Sequence, residues 1–309
     1  MTESYKKVNY LLRLKKQIER KMIIETLQHL GNVPGINIKD YRYFGFGSVY
    51  FADFILFHKY LNINKLTSID NKKHDEKRFR FNKPFDFIDF EICDCDIYLQ
   101  NKLNWKDGLF MWLDYDDPLN ESMIYSIELI ASKAKIFDVF FITVESTAPV
   151  EGKEDEFIAK YNTYMSSHRK LKKSEKEFPQ TLFDIFYNTI QSGISKRATN
   201  ITFLPLFNLV YTDTTKMYTF GGIFCDDSNE GSIKDVLSHL KYIRNNIDLC
   251  EIDCPLLTPK EKMQIDSSIN LKFINFPLAL ETGLKKEEIV KYRRNNYYKH
   301  YPQFFESVY

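Results

Sequence analysis

Residues 45–48 read Gly-Phe-Gly-Ser and follow directly on an aromatic run. Two glycines one residue apart let backbone N–H groups approach a ligand that a Cβ would hold off. The same pattern also makes a plain steric turn, so the acids that follow have to separate the two readings. Asp70 closes the next apolar run, 23 residues after Gly47. At that place a carboxylate accepts hydrogen bonds from the two hydroxyls of a ribose. Asp94 closes the third run, within reach of an adenine amino group. Asp114 closes the fourth, in LDYDDPL, and is followed by Tyr115 and Asp116. Asp114 or Asp116 suits a base, or a metal ligand, acting on an oxygen acceptor. Alternatively, residues 116–118 form the cap and first turn of the next helix. Glu145, at the end of the fifth run, faces the same crevice or is an ordinary strand-end acid.

These residues need elements that hold them together. Residues 8–31 repeat apolar side chains at spacings of three and four, with Lys15, Lys16, Glu19, Arg20 and Lys21 between them. The spacing predicts an amphipathic helix with a basic, solvated outer face. Residues 41–70 then read strand, turn, helix and strand, about the length of one βαβ unit. His58 falls on the apolar face of that helix and reads as a packed histidine. Further strands are predicted over 84–95, 108–117 and 136–146, with a helix over 121–134. The run at 136–146 is continuously apolar, as in a strand covered on both faces. Helices are expected at 181–190 and 233–247, and an exposed helix and loop over 151–175. Residues 201–224 form an antiparallel hairpin about a polar turn at 212–215. The result is a doubly wound, mostly parallel α/β sheet that ends in an antiparallel hairpin. The acids at 70, 94 and 114 then share one crevice at the C-terminal strand ends.

On the segments YFGFGSVYFADF, TSID, ICDCD and LFMWLDYDDPL, and on the late hairpin, the chain resembles class I S-adenosylmethionine-dependent methyltransferases over residues 36–225. The resemblance implies a methyltransferase-like fold with S-adenosylmethionine as cofactor. It implies a cofactor cradled by Gly45, Phe46, Gly47 and Ser48, its ribose on Asp70 and its adenine near Asp94. The acid that usually precedes the glycine turn is replaced by Tyr43 and Phe44, and the third glycine by Val49. The amino group of the methionine end then falls to Asp53 or Asp114. LDYDDPL distantly echoes the motif with which amino-methylating enzymes of this fold hold a target amine, which makes Asp114, Tyr115 and Asp116 the catalytic candidates. The late hairpin and the lack of G-x-G-x-x-G argue against a nicotinamide enzyme. A methyltransferase acting on nucleic acid is the leading function. A catalytically silent module that senses cofactor or nucleotide, or serves as an assembly partner, is the alternative.

The totals set outer limits. The chain has 309 residues, a net charge of +1 and 16% aromatic residues, 26 of them Phe and 20 Tyr. Near-neutral charge excludes a global pull on polyanions, so any nucleic-acid surface is local. Such a surface is expected between 285 and 301, where Lys291, Arg293 and Arg294 pair phosphates and Tyr297 stacks a base. Residues 278–295 also scan as helix-turn-helix. RNA, DNA or a protein are the candidate partners. The five cysteines are irregularly spaced, and Cys250 with Cys254 lacks a second ligand pair, so free thiols in a reducing cytoplasm are expected and no metal. No run is long enough to span a membrane. The expected organisation is an N-terminal helical segment (1–35), the α/β core (36–232) and a C-terminal helical appendage (233–309). The sequence leaves the oligomeric state open.

Overall fold

A computed structural model describes residues 9–165, 171, 174, 176–269 and 282–302. Eight strands make one sheet in the order β3-β2-β1-β4-β5-β7-β6-β8. They are β1 (Arg42–Gly45), β2 (Lys65–Asp70), β3 (Ile88–Ile92), β4 (Leu109–Pro118), β5 (Val139–Glu145), β6 (Thr202–Thr212), β7 (Lys216–Cys225) and β8 (Cys250–Glu251). The first five run parallel, and β7 is antiparallel to both β5 and β6. The chain winds outward from β1 to β3, then returns to place β4 on the other side of β1. That reversal is the topological switch point where open α/β sheets bind ligands.

Helices α1 (Leu14–Leu30), α2 (Ala52–Leu61) and α3 (Glu76–Asn82) contribute to the core on one face. Helices α4 (Cys95–Asn101), α5 (Glu121–Lys133), α6 (Glu154–Tyr161) and α7 (Phe178–Ser195) contribute to the core on the other. The remaining described helices, α8 (Asp227–Leu237), α9 (Pro259–Ser267), α10 (Lys286–Arg294) and α11 (Tyr297–His300), join the α1 side. Both faces are therefore covered, which is why β4 and β5 read as unbroken apolar runs.

Three expectations need correcting. The predicted helix at 233–247 instead spans Asp227–Leu237. Asp226 caps it, accepting from the N–H groups of Ser228 and Asn229, and this cap sets the start upstream of the apolar run. Asp116, Asp117 and Pro118 do not begin a helix. They continue β4, and Asn120 caps α5 by accepting from Met123 N–H at 3.1 Å. The third concerns α1, whose basic face is not solvated. Lys16, Glu19 and Arg20 are all buried, because α1 is enclosed by α2, β6, α8 and α11. From the C-terminal segment, β8 extends the sheet by pairing with β6. Part of the loop expected over 151–175, and the start of the helix-turn-helix scan at 278–281, lie outside the described residues.

Candidate active site

The C-terminal ends of β1, β2, β3 and β4 open into one cleft of about 780 Å³, within the range of small-molecule sites. Phe46, Gly47, Ser48, Asp53, Asp70, Asp94, Asp114, Tyr115 and Asp116 all line it. Each strand ends where its side chains leave the two packed layers, so parallel register alone brings the acids together.

Gly45 does not reach this cleft. A Cβ there would meet the Tyr43 hydroxyl at 2.5 Å and the Trp112 carbonyl at 2.9 Å, so its glycine answers to packing within the sheet. Gly47 is required by the turn itself. A Cβ would lie 2.6 Å from the Phe51 ring and 2.7 Å from Ser68 Oγ. Without one, Gly47 N–H donates to Ser68 Oγ at 3.0 Å and the loop folds down onto β2. Ser48 and Phe51 then adopt left-handed backbone, at φ 52° and 46°. Each costs roughly 1–3 kcal/mol, a strain typical of ligand-holding turns. The Ser48 hydroxyl is buried at the cleft wall without a hydrogen-bond partner.

Asp70 accepts the Lys72 N–H at 2.8 Å, and burial pushes its carboxyl above the ordinary range. Asp94 is exposed and accepts from the Asn71 amide at 3.1 Å. Tyr115 stacks edge-on against Phe46, with ring centroids 4.9 Å apart. Burial raises its hydroxyl well above the ordinary tyrosine range, so it stays protonated, and the hydroxyl is buried without a hydrogen-bond partner. Burial also pushes the neighbouring Cys95 thiol up to about 12.

The floor of the cleft is the part that sequence reasoning missed. Lys16, with its side chain buried, places Nζ 2.6 Å from Asp114 and 2.8 Å from Glu19. The same ammonium lies 4.3 Å from the centre of the Trp112 ring. Glu19 accepts from the Thr219 hydroxyl, which contacts Thr143 at 2.7 Å, and Trp112 Nε1 donates to Thr143 at 3.0 Å. Burial pushes Glu19 upward against the pull of Lys16. Arg20 Nε donates to Asp53, whose carboxyl burial also raises. Arg13 lies 3.8 Å from Asp116 and 3.7 Å from Asp213. Asp53 and Asp114 are therefore held from α1. Lys16 and Arg20 lie four apart, on one side of the helix, and that spacing was the available signal.

The proposed nucleic-acid residues lie elsewhere, on α10 and α11. Tyr297 is buried, its hydroxyl donating to the Glu251 carbonyl and accepting from Asp253 N–H, both at 3.0 Å. Its ring has no open face, which corrects the base-stacking role. Tyr292 and Tyr301 are buried too. Lys291 pairs with Asp253, and Arg293 donates to the Ser268 carbonyl at 3.5 Å. Arg294 ends α10, and its side chain lies outside those described.

No curated protein matches the sequence. Among solved structures, the chain is similar to Trm1 from Pyrococcus horikoshii, in complex with S-adenosyl-L-methionine. Identity is 12%, over 71% of this chain and 57% of that one, with a TM-score of 0.47. It is similar to an S-adenosylmethionine-dependent methyltransferase from Mesorhizobium loti at 14% identity, over 43% and 58%, with a TM-score of 0.31. It is similar to the N-methyltransferase NodS from Bradyrhizobium japonicum at 11% identity, over 67% and 97%, with a TM-score of 0.34. The chain thus spans less than two thirds of the first two. A family model described as "Putative O-methyltransferase" matches residues 8–309, nearly the whole chain, and the protein belongs to that methyltransferase family.

Proposed function

We propose that the protein methylates a hydroxyl group with S-adenosylmethionine, and that the cleft is its active site. The observation that supports this most is the convergence of Ser48, Asp70, Asp94 and Asp114 on one cleft at the β1/β4 switch point. The residues present fit the cofactor: a strained turn leaves a buried, unpartnered Ser48 hydroxyl at its wall, and the next strand ends in a carboxylate. Asp70 takes the ribose hydroxyls and Asp94 lies toward the adenine. When bound, S-adenosylmethionine supplies a methyl group activated on a sulfonium.

The chain supplies orientation and a proton acceptor. Asp114 is committed to Lys16 at the floor, so it anchors rather than abstracts. Asp116 is exposed at the mouth, where its contact with Arg13 at 3.8 Å is looser than that of Asp114 with Lys16 at 2.6 Å, and it is the carboxylate placed to take the proton of an entering hydroxyl. The Tyr115 ring, with Phe46, walls the acceptor off from water. Exposed acids at 94, 116 and 117 rim the same opening. An acidic rim suits a neutral or cationic acceptor better than a phosphate backbone, which favours a small hydroxyl compound over RNA or DNA.

Calorimetry with S-adenosylhomocysteine tests the site. Wild type is expected to bind, and Asp70→Ala to lose about tenfold or more, the worth of one charge-assisted hydrogen bond. No binding by wild type sinks the reading. Transfer of labelled methyl to a pool of hydroxyl compounds, lost in Asp116→Asn, tests the chemistry. Binding without transfer to any acceptor supports the silent sensor instead.

A further inference from the structure

We infer that His29 and His239 form a binding site for one borderline divalent metal ion such as zinc, which clamps α1 to α8 away from the cleft. His29 lies in the last turn of α1, and His239 follows two residues after α8 ends at Leu237. The two helices pack together and bring side chains from 210 positions apart into contact at the surface. The two Nε2 atoms lie 3.2 Å apart. The ring centroids are 4.4 Å apart, with the planes at 74°, so the nitrogens sit on facing edges. Two imidazole nitrogens, each about 2.0–2.1 Å from one ion in tetrahedral geometry, stand about 3.3 Å from each other. The spacing is therefore that of two ligands on one metal. The expectation of no metal rested on the cysteines, and two histidines so far apart in the chain carried no spacing signal.

The surroundings favour a cation. Each histidine sits at the C-terminal end of a helix, where the last carbonyls carry partial negative charge. In a hydrogen bond between two neutral imidazoles, one Nε2 keeps its proton and the other its lone pair. Once that proton moves to Nδ1 of its ring, both Nε2 lone pairs are open to an ion. Imidazole suits zinc, copper and nickel, whereas calcium and magnesium take oxygen ligands. Among the described residues, no group of three histidines, cysteines or carboxylates could hold a metal. Water therefore fills the remaining positions, and the ion exchanges readily. Lys16, at the cleft floor, precedes His29 by 13 residues on the same helix, about 20 Å along its axis. The ion thus takes no part in chemistry at the cleft. It joins two elements distant in sequence and stabilises the folded chain, because the unfolded chain does not hold the pair together.

The test is calorimetry with zinc chloride on the full chain, its thiols kept reduced and any prior metal removed by chelation. Wild type should bind zinc, and His29→Gln and His239→Gln should each weaken binding about tenfold or more. Zinc should also raise the melting midpoint of wild type and leave that of both variants nearly unchanged. Magnesium chloride should do neither. Circular dichroism establishes that each variant is folded. Failure of wild type to bind zinc overturns the site. Binding that both folded variants retain, or that only one of them loses, also overturns it, since the metal then has other ligands. A response to magnesium equal to that of zinc overturns the choice of metal. All of these outcomes are independent of whether the cleft binds S-adenosylmethionine.

Discussion

A lysine whose ammonium is withdrawn from water needs its charge returned from within the protein. Lys16 receives it from Asp114 and Glu19, with the Trp112 ring beneath. Lys16→Met would leave two carboxylates without their partner, and we expect a loss of about 3–5 kcal/mol in urea unfolding. Adding Glu19→Gln should recover part of it. A loss below about 1 kcal/mol would mean that water reaches the cluster after all. Gly47 makes a second residue-scale prediction. In Gly47→Ala the new methyl group meets the Phe51 ring and Ser68 Oγ, so one of them must move. The expected cost is about 1–3 kcal/mol, with weaker cofactor binding, because the displaced residues shape the turn. A variant with unchanged melting and affinity would show that the loop yields freely.

At the scale of elements, α1 is held at both ends. Its early turns meet the strand ends, and its later turns meet the C-terminal helices through Glu25. Glu25 accepts from the Tyr242 hydroxyl at 2.9 Å and contacts His300 Nε2 at 2.9 Å. Burial pushes its carboxyl up, but those bonds outweigh it and hold the group at about 2, below its ordinary 4.5. The folded state thus binds the proton less readily than the unfolded one. The stability this contributes is present above about pH 4.5 and lost as pH falls toward 2. Glu25→Gln should therefore lower the urea midpoint at pH 7 and leave it nearly unchanged close to pH 2. An equal difference at both pH values would count against this linkage. Much of the element order was legible beforehand, because each strand of the parallel core is a bounded apolar run. The late hairpin was legible from its polar turn. The acids at 70, 94 and 114 were readable as neighbours because parallel strands end on one side. The direction of α1 was not readable. Lys16 and Arg20 look like surface cations until their partners are known, and Asp114 lies 98 residues further along. The starting point of α8 was missed because the Asp226 cap, not the apolar run, sets it.

For the whole molecule, near-zero net charge and an acidic cleft rim predict weak attraction to nucleic acid. At about 0.15 M salt we expect no saturable binding of RNA or DNA, and the same result for Lys291→Ala/Arg293→Ala. A steep salt dependence that this pair flattens would restore a polyanionic acceptor. The floor of the cleft has one more consequence, in time rather than space. Its contacts join residues far apart in the chain: Glu19 to Thr219 across 200 positions, Lys15 to Asp213 across 198. Contacts of such long range form late and slow a chain's folding. During synthesis the first helix emerges early and waits for a hairpin made some 200 residues afterwards. Until that hairpin arrives Glu19 lacks the Thr219 hydroxyl and the start of the helix lacks Asp213, so the floor of the pocket is completed only once the hairpin is in place, and a ligand that recognises it would act as a late-stage folding aid.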